Sequence, residues 1–358
     1  MALIKGIRPK RGVPIDFNRI TTAGDRLTAV AREPSEEPVP NYEYARYEGL
    51  FIPTVTPFDE SGELDLKSLD HVARYQASIP GVAALVSCAR IGEGTVLTPN
   101  EKMKVHAAMG EAAHACGKLH TATIAPQSTK EAIELIRALE KMPVDAVMIF
   151  PPLLFAWGKV SGDLKVKFYE DVVNATEMPI TLFQIPVQNY WYDPDTICRI
   201  AALKHVVSFK EASFNIDLFT ESCRKLQAAN ADMRILTGND RFVGKSYELG
   251  AVGALIGMAN VAPDQWAELD RVGRAGDFKR ALEMQDLLKP MSDLIFDEPI
   301  VEAVARIKIV LKNEGLIAHD MVRAPQMGIS EAEKSELLRR YAQLRAQTGP
   351  ASGIAGVG

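Results

Sequence analysis

Eight short apolar runs, each followed by a stretch with helical periodicity, organise the sequence from Leu50 to about residue 275. The runs are Leu50–Val55, Val82–Cys88, Leu119–Ile124, Ala146–Phe150, Ile180–Phe183, Val206–Phe209, Ile235–Thr237 and Gly253–Ile256. Helical periodicity falls at 66–78, 99–115, 128–140, 161–175, 193–203, 215–229, 240–249 and 263–275. A strand buried on both faces reads as a continuous apolar run, and parallel neighbours need a crossover helix between them. Helix starts carry the matching caps: Thr98-Pro-Asn-Glu101 and Ser128-Thr-Lys-Glu131 both read as capping boxes. Eight such units over about 225 residues predict one α/β domain, a (β/α)8 TIM barrel. The rival, an open doubly wound sheet, lacks its glycine fingerprint after the first run.

The segments outside the barrel differ in kind. Residues 1–47 hold Pro9, Pro14, Pro34, Pro38 and Pro40 and a polar stretch, a composition that predicts an extended N-terminal arm. The barrel is expected at 48–275. Further helices at 277–289, 297–314 and 331–346 predict a C-terminal helical subdomain over 276–347, packed on the barrel's side, with a tail at 348–358.

Composition removes several classes of function. A net charge of −5 gives no reason to expect nucleic acid or an anionic membrane surface as partner. Cys88, Cys116, Cys198 and Cys223 form no CxxC pair and read as small hydrophobes in a reducing compartment. The six histidines are dispersed, so no metal site is expected. The basic start has no apolar region after it, and no run is long enough to span a bilayer. A cytoplasmic protein follows as the expectation.

Lys210 ends the sixth run, in Val206-Val-Ser-Phe-Lys-Glu-Ala212. A lysine there points into the barrel mouth, where barrel enzymes keep their chemistry. Apolar surroundings lower a lysine's pKa, and a neutral amine can attack a ketone to form an iminium. The competing reading is a lysine paired with Glu211 at a sheet end. Geometry alone leaves the two open.

From Gly49 to about Val261 the chain resembles the dihydrodipicolinate synthase / N-acetylneuraminate lyase family of Schiff-base aldolases. The matching pieces are Thr56-Pro-Phe58, Gly92-Glu93, Phe209-Lys210-Glu211-Ala212, Gly238-Asn239-Asp240 and Gly253-Ala-Leu-Ile-Gly-Met-Ala-Asn260, in order. The resemblance implies that Lys210 forms the Schiff base, that the substrate is a small-molecule 2-oxo acid such as pyruvate, and that the chain assembles as a homotetramer.

Departures from that pattern are informative. The family's Gly-x-Thr-Gly-Glu segment, which holds the substrate carboxylate, is Ala89-Arg90-Ile91-Gly92-Glu93 here. Backbone amides and a bidentate Arg90 are one way to bind the carboxylate; Arg90 turned outward to an acidic neighbour is the other. The family's strand-five tyrosine falls on Phe183, the tyrosine lent by a neighbouring subunit falls near Leu154, and the arginine after strand five falls near Gln188. An apolar pocket of Ile91, Leu153, Leu154, Phe155, Trp157, Phe183 and Trp191 is expected in their place. The substrate-contact set is therefore Arg90, Ile91, Gly92, Glu93, Phe183 and Leu255. Tyr190 or Tyr192, on the loop after strand five, is expected to replace the lost phenol, with a water on Gln184 as a third possibility. The expected function is a Schiff-base-forming lyase acting by aldol cleavage, condensation or dehydration, and not a true dihydrodipicolinate synthase. The alternative is a catalytically silent barrel that binds a carboxylate metabolite or a partner protein.

Overall fold

The computed structural model describes residues 43–349. Eight parallel strands close into a barrel in chain order. They are β1 (Gly49–Pro53), β2 (Val82–Ser87), β3 (Leu119–Ile124), β4 (Ala146–Ile149), β5 (Ile180–Gln184), β6 (Val206–Glu211), β7 (Arg234–Thr237) and β8 (Gly253–Leu255). The crossover helices are α1 (Leu66–Ser78), α2 (Pro99–Ala115), α3 (Thr129–Leu139), α4 (Gly162–Val173), α5 (Pro194–Ala201), α6 (Ile216–Ala228), α7 (Val243–Glu248) and α8 (Pro263–Arg274). The expected (β/α)8 barrel is the fold observed.

Two apolar layers hold it. Side chains pointing inward, among them Phe51, Val86, Met148, Phe183, Leu236 and Leu255, fill the barrel. The outward faces of the same strands, with Leu182, Phe209 and Ile235, pack under the helices. Thr98 caps α2 in a complete capping box with Glu101. Ser128 caps α3 by accepting from Glu131 N–H, but the Glu131 carboxylate accepts from Gln127 N–H, one residue early.

Two sequence-based boundaries move. Tyr44–Tyr47 is a 3₁₀ turn that packs against β6 and β7, and Tyr47 is buried in the barrel's inner layer. Those four residues belong with the barrel, because a buried aromatic cannot stay in a solvated arm. The remainder of the expected arm lies outside the described residues, as do 350–358 of the expected tail. The helix expected to stop at 289 runs on through Pro290 as α9 (Phe278–Ile295). Proline removes one backbone hydrogen bond there, while Met291 and Ile295 in the following turn are buried. After it come α10 (Ala303–Asn313) and α11 (Glu331–Thr348). α9 packs on α7 and α8, and α11 packs on α9 and α10.

Candidate active site

Lys210 faces the barrel interior because of an irregularity in β6. The pairing of β5 with β6 slips by one residue between Ile180 and Thr181, so Thr181 lies opposite Ser208 and Phe183 opposite Lys210. The hydroxyls of Thr181 and Ser208 then hydrogen-bond at 2.8 Å, and Lys210 Nζ lies 4.3 Å from the centre of the Phe183 ring one pleat further on. Phe150 meets Phe183 edge-on at 4.9 Å and fixes the ring. On the other side a Cβ at Gly238 would come within 3.1 Å of Lys210 Cε, so glycine there leaves room for the stem. Lys210 is 8% exposed. Burial pulls its pKa from 10.5 down to about 7, Arg90 adds to the effect, and Asp240 opposes it. Among the described residues nothing hydrogen-bonds or ion-pairs with Nζ. The Glu211 alternative does not hold. Glu211 points to the other face of β6 and accepts from Gln184 Nε2 at 2.6 Å, Asn239 Nδ2 at 2.8 Å and Ser213 N at 3.2 Å.

Two further charges act on the lysine. Asp240, two residues past Gly238, is 6% exposed and accepts from Met258 N–H at 2.8 Å. Burial raises its pKa to about 6, against the pull of Lys210 and Arg90. Arg90 donates to the Ile300 carbonyl at 2.6 Å and also feels Asp240. Arg90 is therefore held by the C-terminal segment and makes no ion pair with an acidic surface neighbour among the described residues. Its loop is shaped by close backbone approach: a Cβ at Gly94 would lie 1.9 Å from the Cys88 carbonyl oxygen. Gly92 gives its carbonyl to Thr56 Oγ1 at 2.7 Å. The Ile91 and Gly92 N–H groups have no hydrogen-bond partner among the described residues.

Several expected site residues are placed elsewhere. Glu93 is buried in an ion pair with Lys308 of α10 and accepts from Arg323 N–H at 3.1 Å and Gln326 Nε2 at 3.0 Å. Its acceptors serve the C-terminal helices, so it is not available to a substrate. Ile91 packs beside Phe296 over Gly257 and faces those same helices. Tyr192 is fully buried, with its hydroxyl 2.9 Å from that of Tyr169 and Lys165 Nζ over its ring, so it does not reach the mouth. Tyr190 packs on the outer apolar layer, and no contact among the described residues brings it to Lys210. Gln184 lies outside the barrel wall, held by Glu211 and by Tyr192 N–H at 2.8 Å. The expected apolar pocket dissolves as well. Phe155 packs on Phe168, Trp191 donates to the Ile185 carbonyl, and Leu153, Leu154 and Trp157 are exposed at 51%, 57% and 77%. Phe183 and Leu255 do share the inner layer.

Sequence reasoning missed Asp240 as a charge beside Lys210. It was visible in Gly238-Asn239-Asp240 only as a matching piece. The signal was position: a carboxylate just past the seventh strand shares the mouth with a lysine ending the sixth. Thr123 was missed too; its hydroxyl is buried without a hydrogen-bond partner among the described residues. Among those residues there is no group of three or more His, Cys, Asp or Glu side chains placed to hold a metal ion, and no helix is long and apolar enough to cross a membrane.

Comparison with known proteins adds to this geometry. A model of the dihydrodipicolinate synthetase family matches residues 46–344. The 4-hydroxy-tetrahydrodipicolinate synthase of Chelativorans sp. (strain BNC1) is 30% identical over 303 residues, which is 83% of this chain and 99% of that one. A crystal structure of dihydrodipicolinate synthase from Thermotoga maritima superposes with a TM-score of 0.75 at 27% identity, covering 84% of this chain and 98% of that one. The synthase of Acinetobacter baumannii, crystallised with pyruvate, shares the fold with a TM-score of 0.73 at 24% identity, over 84% of this chain and 99% of that one.

Proposed function

The chain belongs to the dihydrodipicolinate synthetase family, a family of class I lyases and aldolases, and from that premise we propose that it joins Lys210 to the C2 carbonyl of a 2-oxo acid. One observation carries the reading. Lys210 is a buried amine at the end of a barrel strand, without a hydrogen-bond or ion-pair partner among the described residues and with its pKa brought down to about 7. A lysine of that kind supplies neutral amine near neutral pH, which is what attack on a ketone requires. The nitrogen bonds to C2, the carbonyl oxygen leaves as water after taking up two protons, and the cationic C=N draws electrons from the neighbouring carbon. No cofactor is part of this chemistry. The carboxylate of the substrate is assigned to Arg90 and the N–H groups of Ile91 and Gly92. Phe183 and Leu255 supply the apolar wall.

The reading departs from that of the named relatives. Phe183 sits against Lys210 where those synthases are expected to carry a phenol, and the strand's one hydroxyl, on Thr181, is paired with Ser208. We assign the chain to a lyase other than dihydrodipicolinate synthesis, acting by aldol cleavage, condensation or dehydration on a 2-oxo acid. A cytoplasmic homotetramer is the working form. Exposed Leu153, Leu154, Trp157 and Val187 supply an apolar surface for the contact between subunits.

Borohydride trapping tests the central claim. With pyruvate and borohydride the protein is expected to gain the mass of the reduced adduct, and Lys210→Ala is expected not to. An adduct that persists in the alanine variant, or none in the parent with any of a panel of 2-oxo acids, overturns the proposal.

A further inference from the structure

We propose that Asp240 is the base that takes the proton from C3 of the iminium and returns it, in place of a phenol. The inference rests on the Schiff-base reading of Lys210 and extends it to the next step. After iminium formation the C3–H bond must break. Its electron pair becomes the C2=C3 bond of an enamine, the C2=N pair moves to the nitrogen, and the proton needs an acceptor beside the lysine.

Among the carboxylates and phenols of the described residues, geometry favours one candidate. The ring nearest to Nζ is Phe183, which carries no acidic proton. The phenols of Tyr169 and Tyr192 bind each other beneath the helices, that of Tyr247 donates to Asp270, and that of Tyr341 to Glu314. Gln184 and Glu211 are bound to each other outside the barrel wall. Asp240, by contrast, follows the strand paired with that of Lys210 and lies within electrostatic reach of it. Gly238 touches the lysine stem, and the chain turns from it through Asn239, whose side chain is fixed on Glu211 and on Phe214 N–H. Asp240 Oδ1 accepts from Met258 N–H, and the carboxylate also accepts from its own backbone N–H, so its plane is fixed at the mouth end of the chain turn.

The charges around it suit the role. The groups that face Asp240 are Lys210 from β6, Arg90 from the loop after β2, the Met258 N–H after β8 and its own backbone N–H. Burial raises its pKa to about 6 while both cations hold it down. At neutral pH it is a carboxylate, more basic than an exposed aspartate, and able to give the proton back.

The test uses pyruvate in deuterium oxide, where enamine formation exchanges the methyl protons and is followed by proton NMR. The parent is expected to exchange and to trap with borohydride. Asp240→Asn is expected to trap within a few-fold of the parent and to lose exchange by about 10²–10⁴-fold, the usual worth of a positioned base. At saturating pyruvate the parent's exchange is expected to rise through about pH 6, and Asp240→Glu to keep such a limb. Exchange in Asp240→Asn within three-fold of the parent overturns the assignment. So does an equal loss of trapping and exchange, which marks a role in placing the lysine instead. Should the variants fail to fold, a flat profile from pH 5 to pH 7 in the parent overturns it by itself. A parent that neither traps nor exchanges any 2-oxo acid removes the Schiff-base reading, and this inference with it.

Discussion

Lys210→Met tests whether burial alone sets the state of the lysine, and it does so through stability. Burial lowers the lysine's pKa from 10.5 to about 7 in the folded chain. Each unit of pKa difference between two states corresponds to about 1.4 kcal/mol, so holding the ammonium in the mouth costs the fold about 5 kcal/mol. The sign follows from the folded value lying below the unfolded one. Below pH 7 both states carry the proton, and the folded state bears the whole cost. Between pH 7 and 10.5 only the unfolded chain is protonated, so the cost fades as pH rises, and above 10.5 it is gone. Methionine keeps an unbranched stem against Phe183 and carries no charge. The variant is expected to exceed the parent by up to about 5 kcal/mol at pH 6 and by only about 2 kcal/mol at pH 9, while losing the ability to trap. Urea denaturation followed by circular dichroism at the two pH values gives both numbers. A variant no more stable than its parent at pH 6, or a gain that does not change with pH, would refute the reasoning.

Two further outcomes are expected. Lys308→Met leaves the Glu93 carboxylate buried without its cation and should lower stability by about 3–5 kcal/mol. Adding Glu93→Gln removes that charge and should recover most of the loss in a thermal melt; a double variant as weak as the single would show that the pair is not what fixes this loop. On the surface, Leu154→Asp with Trp157→Asp puts charge into the exposed apolar patch and should reduce the particle to smaller species in sedimentation at micromolar concentration. A parent that already sediments as a monomer removes the assembly proposal.

The barrel was legible because its strands are buried on both faces, and eight such runs separated by helical periods admit few closures. Lys210 was legible for the same reason: a cation closing an apolar strand is conspicuous. What the pattern could not carry was direction. Whether Lys210 or Glu211 faces inward depends on the slip opposite Ile180, and a one-residue slip exchanges the faces of a strand. Glu93 and Tyr192 show a second gap. Both lie at the right distance along the chain from a strand end, yet each is claimed by a partner far away in sequence: Lys308 for the first, Tyr169 for the second. Arg90 was legible as a cation near the mouth, but the carbonyl that orients it belongs to Ile300, 210 residues on. The helix expected to stop at 289 runs on for a local reason, since the one hydrogen bond missing at Pro290 on an exposed face matters less than the apolar turn beyond it.

The grip of the C-terminal segment on the loop after β2 limits how this chain can be remodelled. Arg90 holds the Ile300 carbonyl, and Glu93 is held by Lys308, by Arg323 N–H and by Gln326. Barrel loops are usually treated as interchangeable parts on a fixed frame. Here the loop after β2 and the segment some 200 residues later are one mechanical unit. A β2 loop transplanted from a relative therefore has to travel with the segment from Phe296 to Gln326, and a library that randomises Arg90 through Glu93 alone will select for folding before it selects for substrate.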